Sequence, residues 1–443
     1  MRFSDRFSWQ VSITFLSRVI SLFIGVGTSI ILARFLGPYG KGVYSLAILL
    51  PSMVVTFGNL GVGPATTYYV ARNEFPKSKI LGNNVLLTAI ISTIGISVGI
   101  IMVFTFRMSF LKGIPVKYLL LSLVLVPLQL FFAYVHSILL GDQKIKEFNY
   151  IQIAQSFVFF AFLSFTLVIL RAFVFEAICA GIIAQLLIDI LLLLLVFRAS
   201  NGIVIKPDKT YLKRSLLFGS QVYLANVMWF LNFRLDMLLL NCFLGPTDVG
   251  IYSIAVGLAE KLWLISSIAS TILFPRISSA SKEKGCDELT PLVARTVFWF
   301  TVLGSLILAI FGKKLVILLF STKFLPAVVP LQILLIGVVA VSVSRILGDS
   351  ISAQGRPILN VYRGIVTVLI NIVLNMIWIP KFGIIGAALA SLVSYNATLI
   401  IVMFFYCRVS GNTVGEVIIP QKSDWRTYMN VAKDFYSIYL LGK

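Results

Sequence analysis

The sequence predicts an all-α integral membrane protein, with about twelve transmembrane helices in two homologous six-helix lobes around a central cavity. Three observations predict it. Of the 443 residues, 59% are hydrophobic and only 12% are charged, more apolar surface than a soluble domain buries. A stretch of chain occurs twice without a gap: Leu36-Gly37-Pro38-Tyr39-Gly40-Lys41-Gly42-Val43-Tyr44-Ser45-Leu46-Ala47 returns as Leu244-Gly245-Pro246-Thr247-Asp248-Val249-Gly250-Ile251-Tyr252-Ser253-Ile254-Ala255. Polar residues inside the apolar runs recur at helical spacing, as they do where a wet interior is lined.

A spanning helix needs ~20 mostly apolar residues. On that ruler the first six helices run over 9–35, 42–70, 83–106, 116–140, 148–170 and 172–197. The second six run over 214–243, 249–274, 292–319, 327–353, 358–379 and 383–407. Pro cannot continue a helix and Gly accepts positive φ, so each copy of the repeat is a tight reversal between antiparallel helices. Gly37, Pro38, Gly42 and Tyr44 form one turn motif, and Gly245, Pro246, Gly250 and Tyr252 the other. The duplication divides the chain into an N-terminal lobe, 1–205, a C-terminal lobe, 206–410, and a polar tail, 411–443, with an amphipathic piece near Trp425 to Leu441.

The net charge of +20 is spread between apolar runs, not gathered on one face, which excludes nucleic acid and fits the positive-inside rule. Loops on the side of the termini carry about 21 Lys and Arg against about 9 opposite, so both termini are expected in the cytoplasm. Arg198, Lys206, Lys209, Lys213 and Arg214 dominate that count. The N-terminus leads straight into the first helix with no small-residue cleavage site, as an uncleaved first span does. Cys179, Cys242, Cys286 and Cys407 are too scattered for a disulfide framework or a zinc site. No metal or cofactor is implied. Every external loop is short, the longest being Arg107–Lys117 and Gly312–Pro326, which leaves no room for an external catalytic domain, and no G-x-x-x-x-G-K-[ST] loop occurs.

Seven basic residues fall within spans: Arg18, Arg34, Arg234, Lys261, Arg295, Arg345 and Arg363. Arg34, Arg295 and Arg363 lie near helix ends, where a long side chain reaches the headgroups. The deeper Arg18, Arg234, Lys261 and Arg345 should face protein or water, because exposing such a charge to lipid costs at least ~2.5 kcal/mol. Thr14, Arg18, Ser21, Gly25 and Thr28 share a face of the first helix. Gln221, Trp229, Asn232 and Asp236 share one in the seventh, with Arg234 pointing roughly the other way. Ser253, Gly257, Glu260, Ser267 and Thr271 do so in the eighth, and Asn360, Gly364, Thr367, Asn371 and Asn375 in the eleventh. Small and polar residues also glue helices together, which is an equal account of the Ser, Thr and Gly positions. Arg345 and Asp349, one turn apart, are placed to form a structural ion pair. His136 is expected to be a satisfied polar residue near a helix end, and Glu176 and Asp189 are without evident partners, open to a coupling ion.

Two halves, short loops and ionisable residues at depth describe a secondary transporter that works by alternating access. Beyond that, Arg34-Phe35-Leu36-Gly37-Pro38-Tyr39-Gly40-Lys41-Gly42-Val43-Tyr44 resembles the R-x-L-G-P-x-x-x-G-x-Y turn of the Wzx-type polysaccharide flippases, a branch of the multidrug/oligosaccharidyl-lipid/polysaccharide exporter superfamily. Arg234-Leu235-Asp236, Leu273-Phe274-Pro275-Arg276-Ile277 and Gly383-Ile384-Ile385-Gly386-Ala387-Ala388 are similar to that branch in order and spacing. The resemblance implies a V-shaped bundle in the bacterial cytoplasmic membrane. It implies a cargo, an undecaprenyl-pyrophosphate-linked oligosaccharide repeat unit for O-antigen, capsule or exopolysaccharide. Polysaccharide polymerase and glycosyltransferases would be the partners. Fixed arginines suit a pyrophosphate: Arg18 first, then Arg234 and Arg345, with Asn371 and Asn375 lining the cavity. Asp236, Glu260 and Asp349 are candidates for a coupling H+ or Na+. A drug/cation antiporter of the multidrug-and-toxin type shares the architecture but is expected to carry an acidic cavity, whereas basic residues prevail here. A membrane polysaccharide polymerase would place its working residues in a large external loop, which is missing.

Overall fold

The computed structural model describes residues 3–200, 202–280, 286–421 and 424, and those residues form helices joined by short turns, with no strand among them. Ten helices are long and apolar enough to cross a membrane, and eleven with one bent pair. The first, Phe3–Gly58, is two helices joined at Gly37, where the backbone leaves helical geometry at φ 66° and ψ −177°. Divided there, the described residues hold the twelve spans that hydropathy predicts. The first and second are the arms 3–36 and 38–58. The third to sixth are Lys77–Phe106, Val116–Gly141, Ile145–Ile169 and Val174–Ala199. The seventh is the bent pair Lys209–Ser220 and Tyr223–Phe243, inclined by 48°, and the eighth Pro246–Ser270. The ninth to twelfth are Leu289–Phe320, Thr322–Ala353, Ile358–Phe382 and Ile384–Ser410.

Two of these differ from the sequence expectation. The second span stops at Gly58, and a separate helix, Val62–Ala71, follows it, because Leu60 and Gly61 both take positive φ. The seventh starts earlier than expected, where the Asp208 carboxylate accepts from the Thr210 and Tyr211 amides at 3.0 and 3.1 Å and caps the helix. Its first arm then packs on the N-terminal half: Phe218 stacks on Tyr68 at 4.7 Å, and the Tyr211 hydroxyl donates to Asn84 at 3.0 Å. The amphipathic piece expected at Trp425 to Leu441 lies outside the described residues.

The two turn motifs meet. Gly37 and Gly245 both have positive φ, and each is followed by a proline that starts the next helix. Beyond them the second and eighth spans cross at Gly42 and Gly250. A Cβ on Gly42 would stand 2.9 Å from the Gly250 nitrogen and closer still to the Pro246 carbonyl. A Cβ on Gly250 would stand 2.9 Å from the Gly42 nitrogen and closer still to the Pro38 carbonyl. The contact is reciprocal, backbone on backbone, and only glycine permits it. Around it Asn241 donates to the carbonyls of Phe110 and Lys112 at 2.8 and 3.0 Å, and Arg34 donates to those of Leu318 and Leu319.

Burial follows the same geometry. One apolar cluster runs through both halves at the turn end, from Leu32, Val43 and Leu46 to Val249, Ile254 and Leu331. At the opposite end the core is split in two. One cluster holds Ile80, Leu139 and Leu192, the other Leu273, Ile346 and Val402. Apolar packing is thus continuous between the halves at the turns and divided below them, where polar contacts such as Arg18 to Ser267 and Tyr223 to Phe57 cross from one half to the other. Many hydroxyls inside the spans are satisfied one turn back: Thr28 by the Ile24 carbonyl at 2.9 Å, Ser253 by Gly250 at 2.7 Å and Thr367 by Gly364 at 3.2 Å. These stripe positions serve local helix structure. The side chains of Gln221 and Thr271 lie outside the described residues.

Candidate functional site

Basic side chains converge where the first, second, eighth and tenth spans face one another. Arg18 crosses from the first span to the eighth, its Nη1 donating to the Ser267 carbonyl at 3.1 Å and to the Ser267 hydroxyl at 2.7 Å. Arg345 of the tenth span is exposed and within electrostatic range of Arg18. Lys261 sits on the short turn Glu260–Leu262 that interrupts the eighth helix. Gly25 of the first span faces it: a Cβ there would lie in ordinary contact, 3.6 Å from the Lys261 Nζ. Lys41, 9% exposed, lies within electrostatic range of Lys261. Lys41, Lys261 and Arg345 make no hydrogen bond or ion pair among the described residues. Three uncommitted cations and a fourth held only by neutral oxygens form a site for an anion. Lys41 was not legible as part of it, because it falls in the turn motif and counts as a loop residue by hydropathy. Its one signal is position, a turn into the helix that Pro38 starts.

Arg234 is not among these cations. It forms a two-pronged pair with Glu260, Nη1 to Oε1 at 2.7 Å and Nη2 to Oε2 at 3.1 Å. Each charge neutralises the other, which corrects the expectation of Arg234 as an anion ligand and leaves Glu260 the less suited to an ion of its own. Asp236, on the other side of the same helix, is 1% exposed. It accepts from the Tyr252 hydroxyl and from the Met237 amide, each at 2.8 Å. Tyr252, from the second turn motif, therefore holds a buried carboxylate. Beside it a neutral network runs from Asn371 to Ser394 at 3.3 Å and from Ser394 to Asn232 at 3.4 Å. Asn375 donates to Asn371 at 2.9 Å. Asn371 and Asn375 are fully buried between helices, so they do not line an open cavity as the sequence stripe suggested.

Other expectations are corrected by partners distant in sequence. Arg345 and Asp349 do not pair, because Asp349 turns to accept from Ser270 of the eighth span. Arg295 does not reach for headgroups: it is 4% exposed and holds Asp424, Nε to Oδ2 at 2.8 Å and Nη2 to Oδ1 at 2.5 Å, while it also donates to the Glu416 carbonyl. Arg363 is half-buried and donates to the Ser344 carbonyl at 3.3 Å. Glu176 accepts from the Phe173 amide at 3.0 Å and caps the sixth span. Asp189 accepts from Gln185 at 3.0 Å, which leaves its other oxygen without a protein partner. His136 behaves as expected, bonded to the Phe148 carbonyl at 3.0 Å and stacked between Phe132 and Phe148. Among the described residues no three His, Cys, Asp or Glu gather as metal ligands would.

Twelve spans among the described residues, packed together at the turns and divided beyond them, define a polytopic helical membrane protein. The solved structures agree on the fold. A lipid II flippase MurJ in an inward closed conformation superposes with a TM-score of 0.74 at 16% identity, over 98% of this chain and 92% of that one. An inward-facing multidrug resistance MATE family transporter of the MOP superfamily gives 0.72 at 14% identity, over 88% and 94%. The chain belongs to the family described as polysaccharide biosynthesis protein, whose model matches residues 9–281. A candidate low-salt glycan biosynthesis flippase of Haloferax volcanii is 24% identical over 42% of this chain, and a capsular polysaccharide biosynthesis protein of Staphylococcus aureus 26% over 40%. These matches span 42% and 46% of the relatives' own lengths. A candidate O-antigen transporter of Shigella flexneri is 25% identical over 85% of this chain and 92% of its own. The resemblance to the Wzx-type flippases therefore stands, on the family match over residues 9–281 and not on the turn motifs alone.

Proposed function

We propose that the protein moves an undecaprenyl-pyrophosphate-linked oligosaccharide repeat unit from the cytoplasmic to the outer leaflet of a bacterial inner membrane, with both termini in the cytoplasm. The observation that carries this is the unpaired cationic cluster of Arg18, Lys41, Lys261 and Arg345 between the halves. A pyrophosphate does not cross a hydrocarbon core unneutralised, and fixed cations in a low-dielectric site offset its charge. The family and the named relatives support a glycan cargo. The lipid tail stays in the bilayer while the headgroup passes between the lobes, which rock about the fused turns, the first arm of the seventh span moving with the N-terminal lobe that it packs on. Glycosyltransferases supply the cargo on one side and a polymerase takes it on the other, for O-antigen, capsule or exopolysaccharide.

Asp236 is the strongest candidate for a coupling H+ or Na+, being a buried carboxylate with no cationic partner within 4 Å among the described residues and neutral oxygens nearby. Asp349, bonded to Ser270, is the second.

The test is extraction of undecaprenyl-linked glycans from deletion cells carrying wild type, Arg18→Ala, Lys261→Ala or Asp236→Asn. The deletion accumulates the lipid-linked repeat on the cytoplasmic leaflet, wild type clears it, and the variants clear it at least tenfold more slowly. If no such lipid accumulates and sensitivity to cationic drugs rises instead, the protein is a drug/cation antiporter and the proposal fails.

A further inference from the structure

A second cavity, of about 260 Å³, opens between the second span and the second arm of the seventh. Its walls alternate rings with amides and hydroxyls: Trp229, Phe230 and Tyr223 with Asn59, Asn226 and Thr56. Three features set it apart from a packing defect. Trp229 leaves 46% of its surface exposed, a large ring face turned to the cavity edge in place of the core. The Asn59 side-chain oxygen is buried with no partner in the protein, an acceptor held out of solvent. The hydroxyl of Tyr223 donates to the Phe57 carbonyl at 2.6 Å, which fixes its ring as a wall between the two halves.

An acyl chain would leave those amides unsatisfied at about 1–3 kcal/mol each. A sugar ring would not. It presents a C–H face that lies on an aromatic ring and a rim of hydroxyls that donate to and accept from amides. The volume falls below the range of about 300–1,000 Å³ for drug-sized ligands, so the cavity takes one ring and not an oligosaccharide. Its position supplies the context. Trp229 meets Trp263 edge-on at 5.6 Å, and Trp263 directly follows the turn that carries Glu260 and Lys261. Through the Trp229–Trp263 contact the ring site on the seventh helix adjoins the turn of the eighth that carries the anion site, as the first sugar adjoins the pyrophosphate on one headgroup.

We infer that this cavity is a sugar subsite: Trp229 stacks on the pyranose ring next to the pyrophosphate, and Asn59 and Asn226 hydrogen-bond its hydroxyl or acetamido groups. The inference rests on the flippase proposal and adds to it the element that reads the first sugar.

Binding to the full chain in lipid nanodiscs tests it, with two probes: undecaprenyl pyrophosphate and undecaprenyl-pyrophosphoryl-N-acetylglucosamine. Wild type binds the sugar-bearing lipid about tenfold more tightly than the bare one, as one stacked ring and one or two hydrogen bonds allow. Trp229→Ala and Asn226→Ala each reduce that preference to within about twofold, Trp229→Phe keeps most of it, and Lys261→Ala weakens both lipids alike. Since Asn226 is exposed, its substitution carries the test even if Trp229→Ala fails to fold. Two results overturn the subsite: wild type binds both lipids equally, or the Asn226 and Trp229 variants keep the preference. Binding of neither lipid by wild type overturns the flippase proposal itself, and the subsite with it.

Discussion

Replacing Gly42 by alanine sets two effects against each other. In a helix interior the change favours folding by about 1 kcal/mol, because alanine has less backbone freedom to lose. Here the new methyl meets the Gly250 nitrogen at 2.9 Å and the Pro246 carbonyl closer than that, whereas ordinary van der Waals contact begins at 3.4 Å. Both obstacles are backbone, so no rotamer change relieves them, and the second and eighth spans must separate by well over the ~0.5 Å that the Gly250 nitrogen alone would require, because the Pro246 carbonyl is nearer. Overpacking of this kind costs about 1–3 kcal/mol, more than the helix gain in most of that range. The expected net is a loss of about 1 kcal/mol. Gly250→Ala should cost the same, since the contact is reciprocal. The double variant should cost clearly less than the sum, because one separation accommodates both methyls. Thermal unfolding of the purified protein in detergent measures all three. A raised melting temperature for either single variant, or full additivity in the double, would refute the reasoning from the glycine crossing.

The Arg234–Glu260 pair should show coupling of the same sign, from a charge pair in place of a steric contact. Glu260→Gln or Arg234→Met alone strands a charge and costs about 2–3 kcal/mol, below the ~3–5 for a fully buried pair because the side chains remain 20% and 29% exposed. A double replacement by methionine restores most of that loss in the same melting assay, and a double variant as unstable as the sum of the singles would sink the pairing. At the far end of the chain, burial raises the Asp424 carboxyl, but hydrogen bonds from Arg295 and the Gln421 amide outweigh it and hold the group below its ordinary range. A carboxylate with a lowered folded value contributes stability that is fully present above about pH 4 and is lost as pH falls through that value. Limited proteolysis of the C-terminal segment between pH 3 and 6 should show release on acidification in wild type and at every pH in Asp424→Asn. Identical profiles for the two would remove the ion pair from the account.

The fold was legible because a membrane permits few solutions: apolar runs of spanning length must be helices, and a Gly-Pro pair between them must be a reversal. Hydropathy could not show that the second span breaks at Leu60 and Gly61 or that the seventh bends, since both depend on local backbone angles and on packing against the other half. For the site, periodicity put Arg18, Lys261 and Arg345 within the spans. It could not name their partners. Arg345 and Asp349 are well spaced for a pair on one helix, yet Ser270, 79 residues away in the chain, takes the carboxylate. Arg295 looked like a side chain at a helix end until the chain returned 129 residues later with Asp424. Helical spacing reports which way a residue points, and partner choice belongs to tertiary structure.

The first arm of the seventh span also bears on the order in which the protein is made. Tyr211 is 1% exposed, and its hydroxyl ties Asn84 at 3.0 Å to Thr66 at 3.1 Å inside the N-terminal half. Just before it, the Asp208 amide donates to the Asn83 side chain at 2.9 Å. When the sixth span inserts, these groups are still inside the ribosome, so the polar knot around Asn83 and Asn84 stays open until the seventh emerges. Synthesis at about 5–20 residues per second brings Tyr211 into place about a second after the sixth span ends at Ala199. The first half of this protein is thus completed by the opening residues of the second, and a ribosome that stalls between them leaves an unfinished lobe in the membrane.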